Sequence, residues 1–253
     1  MIFVIDVGNT HLVAGLYQDD ELLIDWRVAT NKAKTADEYG ILFKNLFNDN
    51  NFSASDVEKI IISSVVPPLV NVLEDVAIKY FSQRAMIVGP GIKTGINIKT
   101  DNPREVGADR IVNAVAANQL YSGPKVIVDF GTATTLCVIS KTGDYLGGVI
   151  APGVGIATDA LIDKAAKLPK VEFDFPDSSI GKNTEQSLKS GILYGFLAQV
   201  DGLIKRVKEE FNSEAVVIAT GGFSSLFYDK SNQIDINNDF LTLEGLRIIS
   251  GKN

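Results

Sequence analysis

The chain has 253 residues, 45% hydrophobic and 22% charged, the balance of a folded globular protein with room for one large core or two ordinary ones. A formal charge of -7 excludes a surface whose affinity would come from neutralising nucleic-acid phosphates, so no nucleic-acid partner is expected. The single cysteine excludes an internal disulfide and a cysteine metal cluster, and Cys137 between Leu136 and Val138 reads as a small core residue.

Residues 2–7 read as a first strand. Their apolar run is too short for a signal peptide or a membrane span and carries no basic leader, so a cytoplasmic protein with no membrane partner is expected. Residues 11–18 and 21–29 form a predicted hairpin turning at Asp19-Asp20. Thr35 with Glu38 three residues on, then Tyr39, Leu42, Phe43, Leu46 and Phe47 at helical spacing, predict a capped amphipathic helix. Residues 60–64 read as a buried strand, Pro67-Pro68 as the start of a helix from about Leu69 to Tyr80, and residues 85–88 as a short strand. The loop over residues 89–97 is expected to face substrate. Residues 102–120 read as one helix with a stripe of Ile111, Val112, Val115 and Ala116. The breakers in residues 121–125 mark a boundary, dividing the chain into lobes 1–123 and 124–253.

The second half repeats the first. Residues 126–129, 134–139 and 145–150 are predicted strands, followed by a helix through Lys164 and a polar loop over residues 179–184. The next helix is long, residues 185–211, and its Gly191, Gly195 and Gly202 suggest close packing. A strand over 216–220 ends on Gly221-Gly222, which reads as a ligand-facing turn, and an amphipathic helix over 241–250 closes the chain.

What organises this order is a motif written twice. Val126-Ile-Val-Asp-Phe-Gly-Thr-Ala-Thr-Thr135 and Phe3-Val-Ile-Asp-Val-Gly-Asn-Thr10 each run from a β-branched strand to an acidic residue, one bulky residue, glycine, and then hydroxyl or amide side chains. Such a strand delivers Asp6 or Asp129 to its carboxyl end, where a carboxylate holds a cation or its hydration shell beside a polyphosphate. Gly8 and Gly131 are expected to turn at positive φ and aim amide N–H groups at an anion. The repeat predicts an α/β fold of two similar lobes with mixed sheets and an inter-lobe cleft. No G-x-x-x-x-G-K-[ST] run is present.

With both acidic turns and the late Gly-Gly, the chain resembles the acetate and sugar kinase, Hsp70 and actin superfamily, whose lobes are actin-like (ribonuclease H-like). It is most similar to type III pantothenate kinase. The residues carrying that resemblance span nearly the whole chain: Asp6-Val-Gly-Asn-Thr10, Asn102-Pro-Arg-Glu-Val-Gly-Ala-Asp-Arg-Ile-Val-Asn113, Asp129-Phe-Gly-Thr-Ala-Thr-Thr135, Gly147-Gly-Val-Ile-Ala-Pro-Gly153, Gly181-Lys-Asn-Thr184 and Thr220-Gly-Gly222.

The resemblance implies ATP-dependent phosphorylation of pantothenate, opening coenzyme A synthesis, with Mg2+ brought by ATP. It implies that Asp6, Val7, Gly8, Asn9, Thr10, His11, Leu12, Val13 and Thr132 line the ATP phosphates, and that Gly107, Ala108, Asp109, Arg110 and Thr184 hold pantothenate. Asp109 would be the proton acceptor, Asp129 would bind a monovalent cation, K+ or NH4+, and the protein would be a homodimer. Thr100 stands where relatives often carry a Tyr along the substrate, and His11 where they often carry Asn. His11 is assigned no catalysis.

Read from the residues themselves, Asp109 also fits a helix ion pair with Arg110 or Arg104, and Asp129 a turn carboxylate bonded to the amides of Gly131 and Thr132. Thr184 also fits a cap for the helix at Glu185. Two other functions fit the superfamily: a sugar or acetate kinase, and an actin-like or regulatory nucleotide switch.

Overall fold

The computed structural model describes residues 1–165, 167–211 and 214–253. It divides into two compact units. The first comprises Met1–Asn97, Asp101–Leu120 and Phe240–Asn253; the second comprises Ile98–Thr100 and Tyr121–Asp239.

In the first unit, β1 (Ile2–Val7), β2 (His11–Gln18) and β3 (Glu21–Ala29) form an antiparallel meander, and β4 (Lys59–Ser64) and β5 (Ala85–Ile87) add parallel to β1 in the order β3-β2-β1-β4-β5. The strand alternation sorts side chains onto two faces. Phe3, Ile5, Val7, Ile60 and Ile62 belong to one core with Phe43, Phe47, Leu69, Leu73 and Phe81 from α1 (Ala36–Asp49) and α2 (Pro67–Phe81). Phe3 touches the rings of Trp26, Phe43, Phe47 and Phe81 at 5.1–6.3 Å between centroids, burial worth about 2–3 kcal/mol for a side chain of that size. The capping box read from Thr35 and Glu38 is present in full. Pro67-Pro68 sit in the first turn of α2, and Ser82 ends it in the left-handed conformation.

The opposite face carries α3 (Ala108–Leu120) and α7 (Leu241–Lys252). A Cβ on Gly15 would meet both Val4 and Leu243, which places α7 over the Ile2, Val4 and Asp6 side of the sheet. The two helices cross closely at Gly245, where a Cβ would lie 2.2 Å from the Val112 carbonyl oxygen, and Thr242 donates to Asn113 Oδ1 at 2.7 Å. Residues 240–253 therefore belong to the first unit, whereas a division at 123/124 leaves them in the second half. Amphipathicity told that this helix has a core to cover but not which core.

The second unit repeats the first sheet strand for strand. β6 (Lys125–Phe130), β7 (Ala133–Ile139) and β8 (Tyr145–Pro152) form the meander, and β9 (Val216–Thr220) and β10 (Ile236–Asn237) add parallel to β6, in the order β10-β9-β6-β7-β8. Val126, Val128 and Phe130 pack with Leu188, Leu193, Val200 and Ile204 of α5 (Thr184–Phe211), and Phe130 stacks on Phe227 of α6 (Ser224–Tyr228) at 4.9 Å. Cys137 is buried in β7 and accepts from the Tyr145 hydroxyl at 3.7 Å.

Two local expectations are corrected. Residues 102–120 are not one helix: Pro103–Glu105 form a 3-10 turn capped by Asn102, and α3 starts afresh at Ala108, because Val106 leaves the helical region. A Cβ added at Gly191, Gly195 or Gly202 would meet nothing within 4 Å among the described residues, so these glycines do not serve close packing within the chain. The loop at 92–95 is pinned by the chain end, with Lys93 exchanging two bonds with Asn253 and Lys252 Nζ donating to Thr94 O. The two-residue β10 escaped the sequence reading because it is too short for any periodicity.

Candidate active site

Strand β1 delivers Asp6 to its carboxyl end, half-buried, beside the fully buried Ser63 of β4 in register. The turn that follows is held from inside: the Gly8 N–H donates to His11 O at 3.0 Å, and Thr30, just past β3, donates its hydroxyl to Gly8 O at 2.7 Å and its N–H to Thr10 O at 2.9 Å. Asn9, Thr10 and His11 are exposed on this turn, and Lys32 Nζ lies 3.5 Å from Asn9 Oδ1. Val7 and Leu12 are buried in the core and Val13 is half-buried, so what these three give the turn is backbone.

The second turn is built likewise. Asp129 ends β6 opposite the buried Thr220 of β9; the Gly131 N–H donates to Ala133 O at 3.1 Å, and Gly153, just past β8, donates its N–H to Thr132 O at 3.1 Å. Thr132 is exposed.

These bonds correct the expected role of the two glycines. Neither Gly8 nor Gly131 has positive φ, and each spends its N–H inside the turn. Room is what glycine gives there: a Cβ on Gly8 would lie 3.0 Å from His11 O, a tight contact with backbone, and one on Gly131 would lie 3.3 Å from Asp129 Oδ1, a side-chain atom. Left-handed backbone is instead found at Gly221, φ +94°, as expected of a turn residue. A Cβ there would sit 2.4 Å from Asp129 Oδ1 and 2.7 Å from Phe130 N, so Gly221 closes directly over the second acidic turn.

Asp109 is the second residue of α3. Gly107, just before that helix, lies against Val65, the residue after β4, whose N–H donates to Val7 O at 3.1 Å. Asp6, the Gly8 turn and Asp109 therefore gather at one end of the first sheet. Burial pushes the Asp109 carboxyl above the ordinary carboxylate range, against the pull of the Arg110 amide and guanidinium. It is the backbone N–H of Arg110, 2.8 Å from Oδ1, that holds the carboxylate. A raised pKa on a carboxyl at the carboxyl ends of parallel strands is what a proton acceptor needs.

Thr184 is relieved of the capping role. Asn183 Oδ1 accepts the Gln186 N–H at 2.8 Å and the Gln186 side chain reaches back to Lys182 N at 3.0 Å, so Asn183 caps α5, and Thr184 is an exposed first-turn residue. Asn183→Ala is expected to cost about 1 kcal/mol of stability, and Thr184→Ala close to nothing. Denaturant unfolding of the two variants separates a cap from a ligand contact, and a larger loss at Thr184 would return the cap to it.

Thr30, Ser63 and Gly153 were not legible as site residues. Thr30 and Gly153 occupy the same topological place in the two units, one residue past the third strand. Gly153 ends the Gly147–Gly153 motif, where nothing local gives it a role.

Comparison with known proteins identifies the family. The family described as type III pantothenate kinase matches residues 2–206. A type III pantothenate kinase of Exiguobacterium sibiricum is 55% identical over 253 residues, covering 100% of both chains, and one of Bacillus cytotoxicus is 53% identical over 253 residues, covering 100% of this chain and 97% of its own. Among solved structures, a protein assigned to the Baf family of transcriptional activators from Campylobacter jejuni aligns at TM-score 0.62 and 19% identity, over 99% of this chain and 98% of its own. A protein assigned as a 2-dehydro-3-deoxygalactonokinase from Sinorhizobium meliloti aligns at TM-score 0.62 and 13% identity, over 100% and 96%. At such identities the structures attest the shared α/β fold, whereas the full-length sequence matches, with the family motifs in both units, decide membership: the chain belongs to the type III pantothenate kinase family.

Proposed function

We propose that this chain transfers the γ-phosphoryl group of ATP to the primary hydroxyl of pantothenate, giving 4'-phosphopantothenate and opening coenzyme A synthesis, with Asp109 as proton acceptor. The observation that carries the roles is the half-buried carboxylate of Asp109, its pKa raised by desolvation, at the same sheet end as the Asp6 turn. As the pantothenate oxygen bonds to the γ-phosphorus and the bond to ADP breaks, its proton passes to Asp109. Little other covalent help is needed, so alignment and charge neutralisation supply most of the rate.

The exposed polar turn Asn9-Thr10-His11 suits the ATP phosphates, with Asp6, Val7, Gly8, Leu12 and Val13 shaping it; the exposed Thr132 is assigned to the same ligand. Gly107, Ala108, Arg110 and Thr184 are assigned to pantothenate. Among the described residues no three His, Cys, Asp or Glu side chains cluster as a metal cage, which fits a Mg2+ that arrives with its nucleotide and keeps its waters. Asp6 would hold that hydration shell, and the cation would supply charge neutralisation on the phosphates. The Asp129 carboxylate is assigned to a monovalent cation, K+ or NH4+, which would add positive charge beside the phosphates.

A homodimer belongs to the same reading: Ile150 of β8 and Ile156 and Leu161 of α4 (Val154–Lys164) are exposed large apolar residues that a second copy would cover. No helix among the described residues is long and apolar enough to cross a membrane.

The test is ADP release with ATP, Mg2+, pantothenate and K+, and then with each omitted. Release is expected from the full mixture, none without pantothenate, and a small fraction without a monovalent cation. Release that ignores pantothenate would favour a nucleotide switch; release that ignores K+ and NH4+ would remove the ion from Asp129.

A further inference from the structure

Residue 107 has no backbone need to be glycine. Its φ is outside the left-handed range that Gly91, Gly95 and Gly221 occupy, so an L side chain fits its conformation. Nor is it crowded by the fold. The three atoms nearest to a Cβ built there are Asp109 Oδ1 at 2.5 Å, Asp109 Cγ at 3.6 Å and Val65 Cγ1 at 3.9 Å. The last two are ordinary contacts. One carboxylate oxygen, at the far end of a flexible side chain, is all that a methyl group would displace.

That oxygen is the one bonded to the Arg110 N–H at 2.8 Å. The carboxylate is thus held between an amide in the first turn of α3 on one side and the bare Cα of Gly107 on the other. We infer that Gly107 is a positioning residue, whose missing side chain seats the Asp109 carboxylate for proton acceptance, a role beyond its assignment to pantothenate. The inference rests on the reading of Asp109 as the proton acceptor.

A methyl at 107 pushes Oδ1 by roughly 1 Å to reach van der Waals contact, and a misplacement of that size costs on the order of 10²-fold in rate. Gly107→Ala is expected to fold and to melt close to the wild-type temperature, since the restriction alanine places on the unfolded chain offsets its poorer fit at the start of α3. Its kcat should fall by on the order of 10²-fold, a far larger factor than any rise in its pantothenate Kd measured by calorimetry without ATP. The acid limb of its kcat–pH profile should move, because the carboxylate leaves its buried seat. In an Asp109→Asn background the same substitution should add no further loss, since the group it displaces no longer accepts a proton.

Retained kcat with a weakened pantothenate Kd would leave Gly107 a substrate contact alone and overturn the inference. So would wild-type behaviour in every measurement, or failure of Gly107→Ala to fold, which would show that more than the carboxylate is in the way. If Asp109→Asn itself keeps wild-type turnover, the proton-acceptor reading fails first. If Asp109→Asn is inactive while Gly107→Ala is fully active, the positioning role fails by itself.

Discussion

Asp109→Asn is expected to lower turnover by about 10²- to 10⁴-fold at saturating pantothenate, and at neutral pH to melt at a higher temperature than the wild type. The first half follows from the chemistry. A primary alcohol is a poor nucleophile unless its proton is taken as the new bond forms, and an amide in place of the carboxylate keeps the shape and the Arg110 N–H acceptor while losing the basicity. The second half follows from burial. Desolvation is the largest influence on this carboxyl and raises its pKa above that of the unfolded chain. For a carboxyl shifted that way, the stabilising contribution is complete below the unfolded pKa and is lost as pH rises through the folded one. Where its carboxyl is ionised, the wild type therefore carries a half-buried charge that asparagine does not. As pH falls toward the carboxyl range the wild type takes up its proton, and the difference in melting temperature should close. Melting curves of both proteins from neutral to acid pH, beside steady-state rates, check the pair of expectations. A variant that melts lower than wild type at neutral pH would mark Asp109 as a structural ion-pair residue, and one with full turnover would remove it from the chemistry.

The repeated strand–acid–glycine motif made the two lobes legible because the hydrophobic period of a buried strand and a breaker just past it are local signals. They survive in the structure as two sheets of the same strand order. What local signals cannot carry is partnership across distance. Nothing in residues 241–252 says that their apolar stripe lies against Val4 and Val112 rather than against the nearer second sheet. The glycines show the same limit. Gly8, Gly131 and Gly221 all read as turn residues, yet only Gly221 has left-handed backbone, while neighbouring oxygens approach all three to different degrees. The cap of α5 falls one residue earlier than Thr184, since Asn183 and Thr184 are both good capping side chains and the choice goes to the one whose Oδ1 reaches the Gln186 N–H.

Gly153→Ala is the second substitution with a large expected effect, and its cause is the opposite of that at Gly107. A Cβ at 153 would lie 2.3 Å from the Thr132 carbonyl oxygen, 2.5 Å from that of Gly131 and 2.8 Å from the Thr132 carbonyl carbon. All three are backbone atoms of the second acidic turn, so no side-chain rotation relieves them. Either the start of α4 lifts, breaking the Gly153 N–H to Thr132 O bond, or the 131–132 peptide shifts. Overpacking of this kind costs typically about 1–3 kcal/mol. The functional loss should exceed what that destabilisation explains, because the displaced peptide carries Thr132 and adjoins Asp129. The expected result is a folded protein with lower melting temperature, an ATP KM raised by on the order of tenfold or more, the loss of about 1.4 kcal/mol of binding, and a higher requirement for K+. Pantothenate binding without nucleotide should remain. A Gly153→Ala enzyme with wild-type ATP KM and wild-type K+ response would show that the turn at 129–132 can move without consequence, and would detach both Thr132 and Asp129 from the phosphoryl-transfer chemistry assigned to them.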